Sequence, residues 1–154
     1  MKKIISHNAA LFIKFALASA VCLSPISAPL AASKIYPTCP ASVQESAIKV
    51  QNVPVGWVSY VARPMYLSGA APTDGPPQQK GELVNDSERR KKNETTYIYH
   101  LDGPYPEGKW LECSYGGYGE IALAKKLADS ITRCAFTYKK GQKAGQSDIK
   151  IECE

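Results

Sequence analysis

The chain has 154 residues, of which 44% are hydrophobic and 21% charged, and its formal net charge is +5. Without Lys2, Lys3 and Lys14, which belong to an N-terminal leader described next, 16 basic and 14 acidic side chains remain, a net charge of +2. So small a charge gives no support to a protein that binds nucleic acid or a membrane surface. The remaining length, about 122 residues, suits a single domain.

Residues 1–32 have the order of residues that is typical of a cleavable secretory signal peptide. Lys2 and Lys3 precede an apolar run, Phe15–Leu23, and small residues with proline continue to Ala32. The run is far shorter than the about 20 residues that span a bilayer as a helix. Cys22 is interpreted as part of the removed segment. We therefore predict export to the periplasm of a mature domain, residues 33–154, without a membrane anchor.

Short strands with little helix are predicted along the mature chain from β-branched, aromatic and alternating apolar residues. Residues 120–127 contain good helix formers, but they also alternate as a strand, and their place in a short meander favours a strand. The fold class is therefore mainly β, a small antiparallel sandwich or bent sheet of five to seven strands. The predicted strands are residues 55–61, 82–85, 95–101, 109–115, 120–127, 133–138 and 148–153.

Three connections are predicted between these strands. Residues 68–81 hold three prolines and several glycines, which break both helix and strand and indicate a loop. Residues 86–94 form a charged run that predicts a solvated hairpin tip. Gly116–Gly117 predicts a turn after a strand that places Leu111, Cys113 and Tyr115 on its inner face.

The cysteines indicate two disulfides, because an even number in an exported chain is typical of disulfide pairing. None of the spacings resembles the C-x-x-C pattern of a metal site. The cysteines that follow the predicted signal are Cys39, Cys113, Cys134 and Cys153.

Strand geometry favours one of the three possible pairings. A hairpin centred on the polar loop after residue 138 brings apolar residues opposite apolar residues and a cysteine opposite a cysteine. Directly opposed Cβ atoms are close enough to bridge. We therefore predict Cys134–Cys153, which leaves Cys39–Cys113 as the second disulfide. The facing pairs would be Tyr138 with Ile149, Phe136 with Ile151 and Cys134 with Cys153.

The chain offers little catalytic chemistry, and we predict neither an enzyme nor a metal or other cofactor. His100 is the only histidine after the signal, which excludes two-histidine zinc patterns. It is interpreted as a surface residue at the end of a strand. A hydrolase that uses a pair of carboxylates is the least favoured alternative, since acidic residues distant in sequence can meet in space.

The mature chain carries a series of structural markers through which it resembles a family of small periplasmic proteins of proteobacteria. Some members of that family are encoded in type VI secretion islands. The resemblance covers nearly all of the mature chain. The markers are Cys39-Pro40, Gly56-Trp57, Gly75-Pro76-Pro77, the Trp110, Cys113 and Tyr115 motif, Arg133-Cys134 and a terminal Cys153.

The resemblance implies a protective role, that of an immunity protein. Such a protein would bind a peptidoglycan-attacking effector and block its active site, so that the producer survives attack by its siblings. A rigid, disulfide-bonded scaffold suits an inhibitor, because preorganisation lowers the entropic cost of binding. The partner-binding residues that we expect on the predicted loops are Asp74, Gly75, Pro76, Arg89, Arg90, Tyr118 and Glu120.

Two alternatives remain open at this stage. The first is a lysozyme inhibitor, since Ser68–Pro72 begins like the loop of known inhibitors, although it lacks their tyrosine. The second is an envelope adaptor that binds another envelope component. The basic run Arg89–Lys92 suits an acidic partner or a plain solvated loop, and Tyr118 suits either a contact or a core position.

Overall fold

The computed structural model describes residues 33–154, and the predicted signal peptide lies outside these residues. The described chain forms two antiparallel sheets of four strands each. The first sheet has the order β1-β2-β5-β6, built from Ser42–Val43, Met65–Asp74, Lys109–Tyr115 and Ile121–Lys126. The second has the order β3-β4-β7-β8, built from Ser87–Lys91, Glu94–His100, Arg133–Lys140 and Ser147–Cys153.

The only helices among residues 33–154 are two short 3-10 helices, Glu45–Ala47 and Pro77–Gln79. None of the helices described there is long and apolar enough to cross a membrane.

Both sheets contribute to one hydrophobic core, as the two layers of a β-sandwich do. From the first sheet come Leu111 and Tyr115, and from the second come Phe136 and Ile151, all buried. Along β5, buried and half-buried residues alternate, as predicted for residues 109–115. The prediction of a mainly β protein with two disulfides is confirmed, whereas residues 33–154 contain eight strands rather than five to seven.

The C-terminal hairpin has the predicted register. Its three predicted facing pairs are all present in the pairing of β7 with β8. The disulfides join Cys134 to Cys153 and Cys39 to Cys113, the same pairs that the strand geometry predicted. The ambiguous segment 120–127 contains a strand, β6, as the prediction favoured.

The predicted loop at residues 68–81 is wrong over its first half, which belongs to strand β2. Pro72 is tolerated in this strand because β1 pairs only with Met65 and Tyr66. Beyond those residues β2 has a strand on one side only, and an edge strand can hold a residue without an N–H group. Gly69 lies at a register irregularity between β2 and β5, where a glycine is common. Turns and a 3-10 helix begin only after Asp74.

Two predicted strands are also wrong. Residues 55–61 form a turn and extended coil, because β-branched residues need a neighbouring strand, and none within residues 33–154 pairs with them. Of residues 82–85, only Glu82 pairs, in an isolated bridge to Thr73. The charged run at 86–94 does form a hairpin, but most of it is strand β3, and the turn consists of Lys92 and Asn93.

Tyr138 of β7 closes the free edge of β2. Its hydroxyl accepts a hydrogen bond from the Ala70 N–H at 2.8 Å and donates one to the Ala70 carbonyl oxygen. Nearby, the Ser147 hydroxyl donates to the Ser68 carbonyl oxygen at 2.9 Å. Burial raises the pKa of the Tyr138 phenol, which therefore stays protonated and able to donate. These bonds tie the two sheets together where no strand covers β2.

We expect Tyr138→Phe to lower the free energy of unfolding by about 1–3 kcal/mol, because it leaves two backbone groups of Ala70 unpaired. Urea denaturation measures this change. Tyr97→Phe is the matched control, since the Tyr97 ring stacks edge-on against Tyr138 and its hydroxyl has no hydrogen-bond partner within residues 33–154. The control should change stability by less than about 0.5 kcal/mol. Equal effects of the two variants would show that the bonds to Ala70 do not stabilise the fold.

Candidate partner-binding surface

The expected partner-binding residues do not form one site. The register of β2 with β5 places Asp74 opposite Lys109 and Leu67 opposite Tyr115. The segment after Asp74 and the turn after Tyr115 therefore lie at opposite ends of the first sheet. Seven residues of strand separate them, or roughly 23 Å. Pro76 and Tyr118 are therefore not neighbours on the surface.

The segment Asp74–Pro76 is packed against the sheet. The Asp74 N–H donates to the Gly81 carbonyl oxygen, and the Gly75 N–H donates to that of Gly108, both at 2.9 Å. Gly75 is buried with φ 82°, and a Cβ atom there would lie 2.0 Å from Oε1 of Gln79. The segment is therefore a closed turn in which the Gly75 backbone is enclosed.

Arg89 and Arg90 lie on β3, an edge strand of the second sheet, and both are exposed. Arg90 pairs with Glu88, and this hydrogen bond raises the pKa of the guanidinium. Arg89 makes no ion pair with any residue in the described range 33–154. Both side chains are exposed to solvent, as expected of a charged run.

Tyr118 is the most exposed aromatic side chain of the β5–β6 turn, at 99%. The turn is preorganised, because Glu120 Oε2 accepts a hydrogen bond from the Tyr118 N–H at 3.0 Å. This bond, with a second one from the Glu120 N–H, lowers the pKa of the Glu120 carboxyl. Gly116 and Gly119 have φ of 94° and 73°, which suits glycine in a tight turn. The turn thus presents Tyr118 to solvent, whereas Tyr115 is buried, as alternation predicted.

Basic side chains gather where the tips of the β3–β4 and β7–β8 hairpins meet. One shallow groove there is lined by four lysines together with residues 145–147. A neighbouring groove brings Lys143 next to Arg63 and to the Gly116–Gly117 turn. We call these side chains the basic end: Arg63, Lys91, Lys92, Lys139, Lys140 and Lys143.

Only part of this positive charge is compensated locally. Glu94 forms ion pairs with Lys91 at 2.9 Å and with Lys139 at 3.4 Å. Both lysines hold the pKa of the Glu94 carboxyl below its usual value, and Lys91 has the larger effect. Lys140 and Lys143 have no ion-pair partner within residues 33–154. The basic end therefore suits an acidic protein surface.

His100 lies at the end of β4, half exposed, as the sequence analysis interpreted it. Its backbone N–H donates to Asp86 Oδ2 at 2.6 Å, and its Nδ1 lies 3.4 Å from the same oxygen. This pairing fixes the loop before β3. Among residues 33–154, no group of three or more His, Cys, Asp or Glu side chains could hold a metal ion.

Residues 55–61, for which the sequence predicted a strand, form an exposed feature that was not expected. Trp57 and Tyr60 there are 75% and 85% exposed. The unusual composition of this region is visible in the sequence, because residues 50–62 contain none of the charged side chains that usually mark a solvated loop. A run that looks like a buried strand is in fact presented to solvent.

The comparisons with known proteins bear on what this surface binds. The family model described as "Type VI secretion system Tli immunity protein" matches residues 62–154, which is more than half of the chain and includes strands β2 to β8. No curated protein and no solved structure matches the chain. The chain belongs to the Tli family of type VI secretion system immunity proteins.

Proposed function

We propose that this chain is a periplasmic immunity protein that binds one type VI effector and blocks it, so that the producing cell survives delivery by its siblings. The observation that carries the proposal is the family match over residues 62–154. Membership implies a protein effector as the partner. The effector that we expect is one that attacks peptidoglycan, as the sequence resemblance implied.

The two disulfides support the periplasmic location. Disulfides persist in oxidising compartments such as the periplasm and are rare in the bacterial cytosol. Cys39–Cys113 joins residues that are 74 apart, and Cys134–Cys153 joins the last two strands. Both bridges also fix the fold, and a fixed fold loses little conformational entropy on binding an effector.

The alternative of a lysozyme inhibitor loses its main support. It depended on Ser68–Pro72 forming a loop able to enter an active-site cleft. These residues lie in strand β2 instead, where Ala70 pairs with Cys113 of β5 and is buried. The immunity function is therefore the better account of the same residues.

Co-expression with the product of the neighbouring gene, directed to the periplasm as the candidate toxin, tests the proposal. We expect the full chain to restore growth and to co-purify with the toxin in a one-to-one complex. A matched control lacks residues 1–32 and stays in the cytosol, where it should not protect. Growth arrest despite the full chain, with no complex, would contradict the immunity function. Release of muropeptides by the unblocked toxin would support peptidoglycan as its target. Release of lipid products instead would show that the toxin attacks membrane lipid and not peptidoglycan.

A further inference from the structure

Residues 50–62 form an exposed apolar segment between β1 and β2, which we call the apolar segment. It holds thirteen consecutive uncharged residues. It surrounds a shallow groove of 440 Å³ lined mainly by valine, proline, tryptophan and tyrosine side chains. The exposed fractions of its large apolar residues are 54% for Val50, 103% for Val55, 75% for Trp57, 93% for Val58 and 85% for Tyr60.

Both ends of the connection that carries this segment are fixed to the first sheet. Val43 pairs with Met65, and Ser42 pairs with Tyr66. The disulfide Cys39–Cys113 fixes the chain just before β1 to β5. Connections longer than about 12–15 residues are uncommon in compact domains, and the ordered ones are commonly binding loops. The segment is thus a long exposed loop with fixed ends.

The composition of the segment suits a protein interface. Exposed apolar patches on soluble domains mark interaction sites, and tryptophan and tyrosine are the residues that most often dominate binding energy. Each aromatic side chain can bury about 150–250 Å². Trp57 and Tyr60 together would therefore supply a large part of the about 800 Å² that each partner contributes to a standard interface.

One end of the segment leads directly into a basic side chain. Its C-terminal end continues into Arg63, which lines the same groove as Lys143 of the basic end. An apolar surface beside uncompensated positive charge is complementary to an apolar patch flanked by carboxylates. Membership of the immunity-protein family implies that the partner bound by such a surface is a protein effector.

The family match covers residues 62–154, so the apolar segment lies outside the matched range except for Ala62. We propose that the apolar segment is the docking segment for the effector, and that it binds an apolar patch flanked by carboxylates on the surface of the effector. This inference rests on the immunity function proposed above.

The double variant Trp57→Ser/Tyr60→Ser tests the inference, with protein recovered from the periplasm of cells that express the full chain. Calorimetric titration with the candidate toxin of the co-expression test should show a dissociation constant weakened on the order of 100-fold. The melting temperature should stay unchanged, because both side chains are exposed. Val84→Ser is the matched control, since Val84 is 89% exposed and lies outside the segment, and it should bind as the unmodified chain does.

A second variant addresses the basic end separately. Lys140→Glu/Lys143→Glu should slow association with the toxin by about tenfold at low salt and much less at high salt, because these charges steer the encounter. Stopped-flow or surface-plasmon measurements give this rate. An unchanged rate would overturn the carboxylate part of the inference.

The outcomes separate this inference from the proposed function. If the unmodified chain binds and protects, and the Trp57→Ser/Tyr60→Ser variant does so equally well, the docking inference is overturned while the immunity function stands. If the unmodified chain neither binds nor protects, both fail. Light scattering could instead show that the substitutions dissociate a dimer of the free chain without weakening toxin binding. The segment would then contact a second copy of this chain, and the inference would also be overturned.

Discussion

Replacing Cys39 and Cys113 together with alanine is expected to lower the free energy of unfolding by about 4 kcal/mol. The bridge joins residues that are 74 apart, and in the chain-entropy account a longer closed loop restricts the unfolded chain more. In the folded chain it holds the residues before β1 against β5. Denaturant unfolding of the double variant, compared with the unmodified protein under oxidising conditions, measures the change.

The matched control is the pair Cys134→Ala/Cys153→Ala, which opens a loop with a separation of 19. Its expected cost is smaller, about 3 kcal/mol, for the same entropic reason. A larger loss from this second pair would show that the short bridge stabilises the native sheet by more than loop closure. Equal stability of all three proteins would contradict a stabilising role for either bridge.

Phe136→Ala is expected to lower the free energy of unfolding by about 3–5 kcal/mol, the second of the two largest effects. Phe136 has no exposed surface and lies at the centre of the core that both sheets share. Its ring also meets Tyr99 edge-on, with the centroids 5.4 Å apart. Removing the ring leaves a cavity that the crosslinked strands around it cannot easily close.

Thermal and denaturant unfolding measure this loss, and Phe136→Leu is the conservative comparison. Leucine keeps most of the buried volume, so the variant should lose less than half as much stability. A third variant, Leu123→Ala on the partly exposed face of β6, should change stability by less than about 1 kcal/mol. A Phe136→Ala protein as stable as the Leu123→Ala protein would show that the two sheets do not depend on a common core.

Local patterns in the sequence were sufficient to predict the second half of the fold. Alternation along Lys109–Tyr115 predicted both the strand and its buried face. In the C-terminal hairpin, pairing apolar residues with apolar residues fixed the register, and the register in turn placed Cys134 beside Cys153. In both regions a one-residue shift would have exposed apolar side chains, so only one arrangement was consistent.

The first half of the fold could not be predicted in this way, because its strands depend on distant residues. Pro72 and Gly69 argued against a strand, and only the short length of β1 makes β2 an edge that can hold a proline. Conversely, Val55–Val61 has a strong preference for strand, but no edge within residues 33–154 pairs with it. Tertiary context decided both outcomes.

The candidate surface was predictable only in its parts. Exposure of Arg89 and Tyr118 followed from a charged run and from a glycine turn. The distance of Tyr118 from Asp74, however, is set by the register of β2 with β5, which joins residues about 40 positions apart. Without β2 the sequence could not show that Asp74 and Tyr118 lie at opposite ends of the first sheet.

The order of the disulfides has a consequence for how the protein matures. The bridges join the first of the four described cysteines to the second and the third to the fourth, since Cys113 pairs with Cys39 and Cys153 with Cys134. In a chain that enters an oxidising compartment N-terminus first, as proposed here, Cys113 is the first of the other three to reach Cys39, and once that bridge has formed Cys134 has only Cys153 left to pair with. Direct oxidation during export then gives the correct bonds, and no wrong bridge has to be broken afterwards.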